Sequence, residues 1–275
     1  MSLDNKKRVL IITNELSPYV EFTDFAEILN QLAIKTFEAG IEVRVIMPRF
    51  GVINERRHRL HEVVRLSGIN IMVDKEYHPL IIKVASLPNA RLQVYFMDNE
   101  DFFKRKFVFR NEDDKFYDDN AERAVFFCKS ALETVKKFGW PPHAIHCHGW
   151  MTSLIPLYLK TAYKKEPVFG PAKSIFTLQN DQFSETLSAS FSRKALINAD
   201  IKEKDLALAA DGTNLGLTLC GAKYADIVVQ GEAKLNAKIL AGAKPSRYKK
   251  VVKYDATWKE DVTGLLDLYK SLTES

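Results

Sequence analysis

The sequence predicts an α/β protein built on a doubly wound, mostly parallel sheet. Two observations carry that prediction: short, continuously apolar runs recur along the chain, and segments with apolar residues at three- and four-residue spacing alternate with them. A third supports it. The 275 residues are 46% hydrophobic and 27% charged, which leaves enough apolar sequence for a substantial core. No internal repeat, low-complexity tract or Gly/Pro/Ser-rich linker breaks the chain, so it reads as one domain.

Taken in order, "RVLIIT" (8–13) is the first strand, apolar throughout as a strand covered on both faces must be. From Asp24 the pattern turns helical. Phe25, Ile28, Leu29, Leu32, Ala33 and Thr36–Phe37 share a face, Thr23 or Asp24 serves as N-cap, and Gly40 is the stop. "IEVRVIM" (41–47), ended by Pro48, completes a right-handed βαβ unit. Residues 69–97 hold "INIMV", "LIIKVA" and "RLQVYFM", parted by the turn formers of "DKEYHP" and "LPNA", and read as an antiparallel excursion. "DDNAERAVFFCKSALETVKKF" (118–138) is a helix with Asp at its start and Lys near its end, both favourable to the helix dipole. "HAIHC" (143–147) and "KSIFTL" (173–178) are strands, with a helix from Trp150 to Tyr163 between them after a turn at Gly149. Residues 181–226 read as helical but weakly patterned. "DIVVQ" (226–230) is a sixth core strand, "GEAKLNAKILAG" the helix after it, and Trp258 to Leu272 a closing amphipathic helix.

Charge and composition narrow the function classes. The net charge is +5, and the 40 Lys and Arg are interspersed with 35 Asp and Glu, which is no electrostatic footprint for nucleic acid. The densest basic stretch, "RRHR" (56–59), reads as a solvated loop. Three widely spaced cysteines, Cys128, Cys147 and Cys220, argue for a reducing compartment. The first ten residues lack an apolar leader and no run is long enough to span a membrane, so a cytoplasmic location is expected.

The ligand motifs are few. "HAIHCHGW" gathers His143, His146, Cys147 and His148, which suggests zinc. On a strand, though, His146 and His148 share one face and Cys147 takes the other, and no second ligand cluster exists, so no metal is expected. His148 lies at the C-terminal end of a core strand, where doubly wound sheets collect ligand contacts, although alone the stretch also fits a hydrogen-bonded structural histidine. There is no G-x-G-x-x-G, P-loop or G-x-S-x-G. Asp118, Asp119 and Asn120 read as helix caps, and the aromatics of "DFFKRKFVF" (101–109) as packing. The turn "SPYVEFTDFAEIL" (17–29) follows the first strand, where such folds hold phosphates on bare backbone N–H groups. It carries no glycine, and it offers Glu21 and Asp24 instead.

Several motifs in consistent order, from Val9 to Ile239, resemble the N-terminal domain of the bacterial glycogen synthase and plant starch synthase family, retaining glucosyltransferases of the two-domain GT-B type. "IEVRVIMPRFG" is similar to that family's strand ending in Pro-x-Tyr-Gly. "FFKRKFVF…FYDDNAERAVFF" resembles its Phe-x-x-Arg…Asp-Asn-x-x-Arg segment, and "HCHGWMTSLIPLYLK" its His-x-His-Asp-Trp…Pro-x-Tyr-Leu-Lys segment. "SIFTLQN" resembles a strand ending in Thr-Ile-His-Asn, and "GAKYADIVVQGEAKLNAKI" the Lys-x-Gly-x-x-x-Ala-Asp strand and helix. The resemblance implies a Rossmann-like sheet forming one half of a GT-B fold. It implies an activity, glucosyl transfer from ADP-glucose to an α-1,4-glucan, and His148 as the histidine facing the transferred glucose.

The departures fall at the site. The family's Lys-Thr-Gly-Gly turn, whose Lys meets the sugar-nucleotide phosphates, is here Glu21, Phe22, Thr23 and Asp24. A contact of this kind is worth on the order of 4 kcal/mol at about 4 Å and an effective dielectric near 20, so reversing its sign is severe. The Asp of His-x-His-Asp-Trp is Gly149 (before Trp150), and the His of Thr-Ile-His-Asn is Gln179 (before Asn180). Residues 1–255 are expected to form the synthase-like domain, with 256–275 a C-terminal helix packing on it and the family's second domain missing. The expected function is therefore synthase-type transfer that is degenerate or dependent on a partner in this chain; the alternative is a non-catalytic glucan-binding or regulatory scaffold. No cofactor is expected, since ADP-glucose is a substrate. The expected partners are α-glucan or nucleotide sugar and a protein partner or a homo-oligomer, not nucleic acid or membrane.

Overall fold

A computed structural model describes residues 6–88, 90–244 and 249–273. Residues 1–5, part of the leader reading, and 274–275, the end of the expected tail segment, lie outside the described residues. The chain runs β1 (Arg8–Thr13), α1 (Phe25–Glu38), β2 (Glu42–Pro48), α2 (Glu55–His58), β3 (His61–Glu62), β4 (Ile69–Val73), β5 (Glu76–Ser86) and β6 (Gln93–Asp98). It continues through α3 (Glu100–Phe103), α4 (Asn120–Phe138), β7 (Ala144–His148), α5 (Ile155–Lys160), β8 (Lys173–Leu178), α6 (Phe191–Ala195) and α7 (Asn214–Tyr224). It ends with β9 (Ile227–Gln230), α8 (Ala237–Gly242), β10 (Lys250–Val252) and α9 (Thr263–Thr273).

The strands form one ten-stranded sheet in the order β10-β9-β8-β7-β1-β2-β6-β5-β3, with β4 paired to β5. From β10 to β6 the pairing is parallel; β5 runs against them, and its pairings with β6, β3 and β4 are all antiparallel. The chain winds outward from β1 through β2 to β6, then returns to β7 and winds the other way. The reversal falls between β1 and β7, where Thr13 registers with His148. In such sheets the crevice beyond the strand ends at that point is where ligands sit.

The sheet's two faces are sorted by alternation along β7. His146 bonds Tyr269 of α9, whereas Cys147 lies near Cys128 of α4. Helices α1 and α9 therefore cover one face and α4 the other. β1 is buried along Val9–Ile12 without exception, consistent with cover on both sides.

Several elements depart from the sequence reading. β6 belongs to the parallel sheet beside β2, so the antiparallel excursion is β3 to β5 rather than the whole of 69–97. The 118–138 helix starts at Asn120, and neither Asp119 nor Asn120 caps it by side chain. Asp119 is drawn instead to the Arg105 guanidinium, and the Asn120 side chain donates to the Phe109 carbonyl. Residues 150–163 form a 3-10 turn (Trp150–Thr152) and the short α5. Region 181–226 is mostly irregular before α7, and the helix after β9 begins only at Ala237, capped by Asn236. The tail is a 3-10 turn (Ala256–Lys259) followed by α9, and both contact α1. "RRHR" is not a loop: its first three residues lie in α2.

Candidate functional site

The first strand delivers its chain end to the switch point, and there the chain turns back on itself around one carboxylate. Glu15 is fully buried just past the end of β1. Its Oε2 accepts from the backbone N–H groups of Phe22 (2.6 Å) and Thr23 (2.7 Å). Its Oε1 accepts from Thr23 Oγ1 (2.6 Å) and from His148 Nε2 (2.8 Å). Thr13 Oγ1 fixes the start of the turn, donating to the Glu15 carbonyl at 2.6 Å. Burial alone raises the Glu15 carboxyl pKa. The His148 hydrogen bond and charge, then Thr23 and the Phe22 N–H, more than offset this and hold it below the usual carboxylate value.

His148 is equally buried. Its ring stacks on Phe25 at 4.7 Å and 11°, and its Nδ1 finds no partner among the described residues. The Asn14 amide beside it is also buried and unpartnered on both atoms. Gly149 makes room for that amide. It has φ +85°, and a Cβ there would stand 1.6 Å from Asn14 Oδ1. The aspartate that the family pattern has at this position does not fit while Asn14 occupies the space.

The sequence-predicted residues separate into groups. Thr23, His148 and Gln179 converge, Gln179 donating to Thr23 Oγ1 at 3.2 Å. Glu21 is exposed, and Asp24 pairs with Lys259 from the tail turn. Asn180 is a clamp directed away from Glu15. Its N–H and amide bond the Glu232 carboxylate (2.8 and 2.5 Å), and its Oδ1 accepts from the Asn236 N–H. Trp150 is buried against Phe109 (5.2 Å) and Phe183 (5.1 Å). Beyond those rings lies an open cleft of about 370 Å³ where Phe107, Phe109, Phe116 and Phe183 meet Arg110 and Gln182. A smaller space of about 290 Å³ adjoins the start of α1, lined by Thr23, Asp24 and Glu232 among others and by no basic side chain. No group of three or more His, Cys, Asp or Glu able to hold a metal exists among the described residues. Nor is any helix there long and apolar enough to cross a membrane.

Glu15 and Asn14 went unread in the sequence. A charged residue directly after an apolar run looks like the return to solvent, and the only signal against that was its place at the end of the first strand.

A doubly wound sheet with this strand order and a crevice at the β1–β7 switch point is a Rossmann-like fold. The chain belongs to the starch synthase catalytic domain family, whose sequence pattern matches residues 8–244. It is 35% identical to the glycogen synthase of Chlorobium limicola over 80% of this chain and 45% of that protein. It is 36% identical to the glycogen synthase of Chlorobium luteolum over 86% of this chain and 47% of that one. The chain thus spans about half the length of the curated relatives it matches. The catalytic domain of starch synthase IV from Arabidopsis thaliana, solved with ADP and acarbose, superposes with a TM-score of 0.65. That match covers 82% of this chain and 44% of the other at 21% identity, a likeness of fold.

Proposed function

We propose that this chain handles α-1,4-glucan in glycogen or starch synthase-type glucosyl chemistry, and that by itself it does not seat the diphosphate of a nucleotide sugar. The observation that carries this reading is the Glu15 carboxylate on the N–H groups of Phe22 and Thr23. Those are donors of the kind an anionic ligand uses at a helix start, and here an internal anion takes them. Around them stand Glu21, Asp24 and Glu232, and the Lys259 ammonium from the tail turn is paired with Asp24. A leaving diphosphate must be met by positioned cations. On this reading they are supplied by an opposing wall, from a further domain or a partner chain.

The cleft of Phe107, Phe109, Phe116 and Phe183 supports the glucan side of the reading. Aromatic faces beside Arg110 and Gln182 suit the apolar faces and hydroxyls of glucose units. A second reading, complete glucosyl transfer once the opposing wall is present, is favoured by His148, which stands at the switch point where the family resemblance puts the glucose-facing histidine. In either case α-glucan is the ligand of this domain.

Titration calorimetry with maltoheptaose and with ADP-glucose tests this. Maltoheptaose is expected to bind, about tenfold more weakly after Phe107→Ala with Phe116→Ala, while ADP-glucose gives no micromolar binding. Micromolar ADP-glucose binding with glucose transfer to a primer would overturn the proposal.

A further inference from the structure

On the α1 face of the sheet, away from the Glu15 turn, lies a groove of about 850 Å³. Its walls carry Arg57, His58, Arg59, His61 and Arg91, with Tyr19 at one end and the buried Leu87 in its floor. No carboxylate lines it among the described residues. Of the nearby acids, Glu55 bonds Arg49 and Lys83, Asp98 bonds Lys83 at 3.1 Å, and Glu62 is exposed on β3 outside the groove lining. The Arg57, Arg59 and Arg91 guanidiniums make no ion pair among the described residues.

Arg57 and Arg59 are carried on ordered backbone, with their side chains exposed. Asn54 caps α2 through the Arg57 N–H, which fixes the backbone there. Arg59 closes the same helix in the left-handed region at φ +54°, with its N–H on the Arg56 carbonyl. His58 sits edge-on to Tyr19 at 4.8 Å. Its imidazole is kept below its ordinary pKa, first by burial and then by the Arg57 charge. Three guanidiniums lining one concavity give it a positive charge that an anion placed there would offset.

We infer that this groove is a binding site for a small phosphorylated ligand, gripped by the Arg57, Arg59 and Arg91 guanidiniums. Guanidinium forks match phosphate oxygens in pairs. The volume falls within the roughly 300–1,000 Å³ typical of small-molecule pockets. Nucleic acid would instead call for cations spread along a stripe, and the rest of the surface mixes both signs. The ligand would touch Tyr19 but none of the residues that wrap Glu15, which lie outside the groove.

Calorimetry on the full chain tests this with inorganic pyrophosphate as probe and a 20-base-pair DNA duplex as the competing class. Pyrophosphate is expected to bind, and Arg57→Gln with Arg91→Gln to weaken it at least about tenfold. The same charge change at two distant exposed sites, Lys165→Gln with Lys244→Gln, is expected to leave binding within about twofold. Melting temperatures establish that each variant is folded, and Arg91→Gln alone, expected to cost about threefold, serves if the double variant is not. Absence of pyrophosphate binding at millimolar concentration would overturn the inference. So would equal weakening by both variant pairs, or duplex binding that the groove variants reduce as much as pyrophosphate binding.

Discussion

His146 and His148 stand two residues apart on β7, on the same face of the sheet, and both are fully buried. They nevertheless occupy different chemical positions. His146 is in mid-strand, with Nδ1 on Tyr269 OH (2.6 Å) and Nε2 on Thr177 Oγ1 (2.7 Å), so its hydrogen-bonding capacity is spent inside the core. Burial, and secondarily the neighbouring His148, lowers its pKa to about 3. His148 is at the strand end, donates to a carboxylate, and leaves Nδ1 unpartnered beside the equally unpartnered Asn14 amide. One strand thus supplies both a packing histidine and a site histidine. What differs is the distance from the C-terminal edge, where the sheet stops filling its own hydrogen bonds and the chain turns do so instead.

The sharpest way to break the comparison is to remove the carboxylate on which the strand-end region depends. Glu15→Ala leaves two part-buried backbone N–H groups, the Thr23 hydroxyl and His148 Nε2 without their acceptor. The expected loss in urea unfolding is about 3–5 kcal/mol, the cost of leaving several donors without their shared acceptor. The sign with pH is set by a carboxyl held below its unfolded value. The Glu15 contribution is complete above the ordinary carboxylate range and is lost as pH falls through the folded-state value. A loss below about 1 kcal/mol would mean that the turn holds its shape without Glu15, and the contrast with His146 would collapse.

The parts of this architecture that were legible are those where one local rule dominates. β1, β2, β7 and β8 are short apolar runs, and α1 and α4 have a sustained apolar face, so period alone identified them. Other elements were hidden because long-range pairing overrode local signals. β5 runs through Pro79, which turn chemistry marks as a break. The proline is tolerated opposite Asn70 of β4, at the antiparallel margin of the sheet, where its missing N–H costs no central ladder bond. β10 is three residues long and exists only because β9 offers it an edge. At the site, Thr23, His148 and Gln179 could be found from the strand ends. Glu15 could not, because its partners are seven, eight and 133 residues away and only the folded turn brings them together. The meaning of Gly149 was hidden for a similar reason: it depends on Asn14, from the far side of the switch point.

A smaller effect sharpens the mid-strand side. His146 has a folded pKa of about 3 against an unfolded value near 6.5, so the folded state resists protonation. Its stabilising contribution is intact above about pH 6.5 and is lost progressively as pH falls toward 3, at up to about 1.4 kcal/mol per pH unit. Between about pH 6.5 and 4.5 the chain is expected to lose roughly 2–3 kcal/mol that a His146→Gln variant does not lose, however stable that variant is at neutral pH. Parallel pH–stability curves for the two proteins would show that His146 does not titrate differently on folding.

The smallest effect tests whether hydrogen-bond satisfaction is what separates the two histidines. Tyr269→Phe keeps the ring that packs edge-on to His146 at 5.8 Å and removes only the hydroxyl at Nδ1. His146 then has one partnered and one orphan nitrogen, the condition His148 already has. Because the site is fully buried and water cannot replace the lost bond cheaply, the expected cost is about 1–2 kcal/mol. The loss should reach α9 first: its amides are expected to exchange faster while those of α4, on the opposite face, keep their protection. A loss within about 0.3 kcal/mol, with α9 protection unchanged, would mean that an unpartnered imidazole nitrogen is tolerated in mid-strand as well as at the strand end. The vacant Nδ1 of His148 would then carry no information about a ligand, and its assignment to the site would rest on strand position alone.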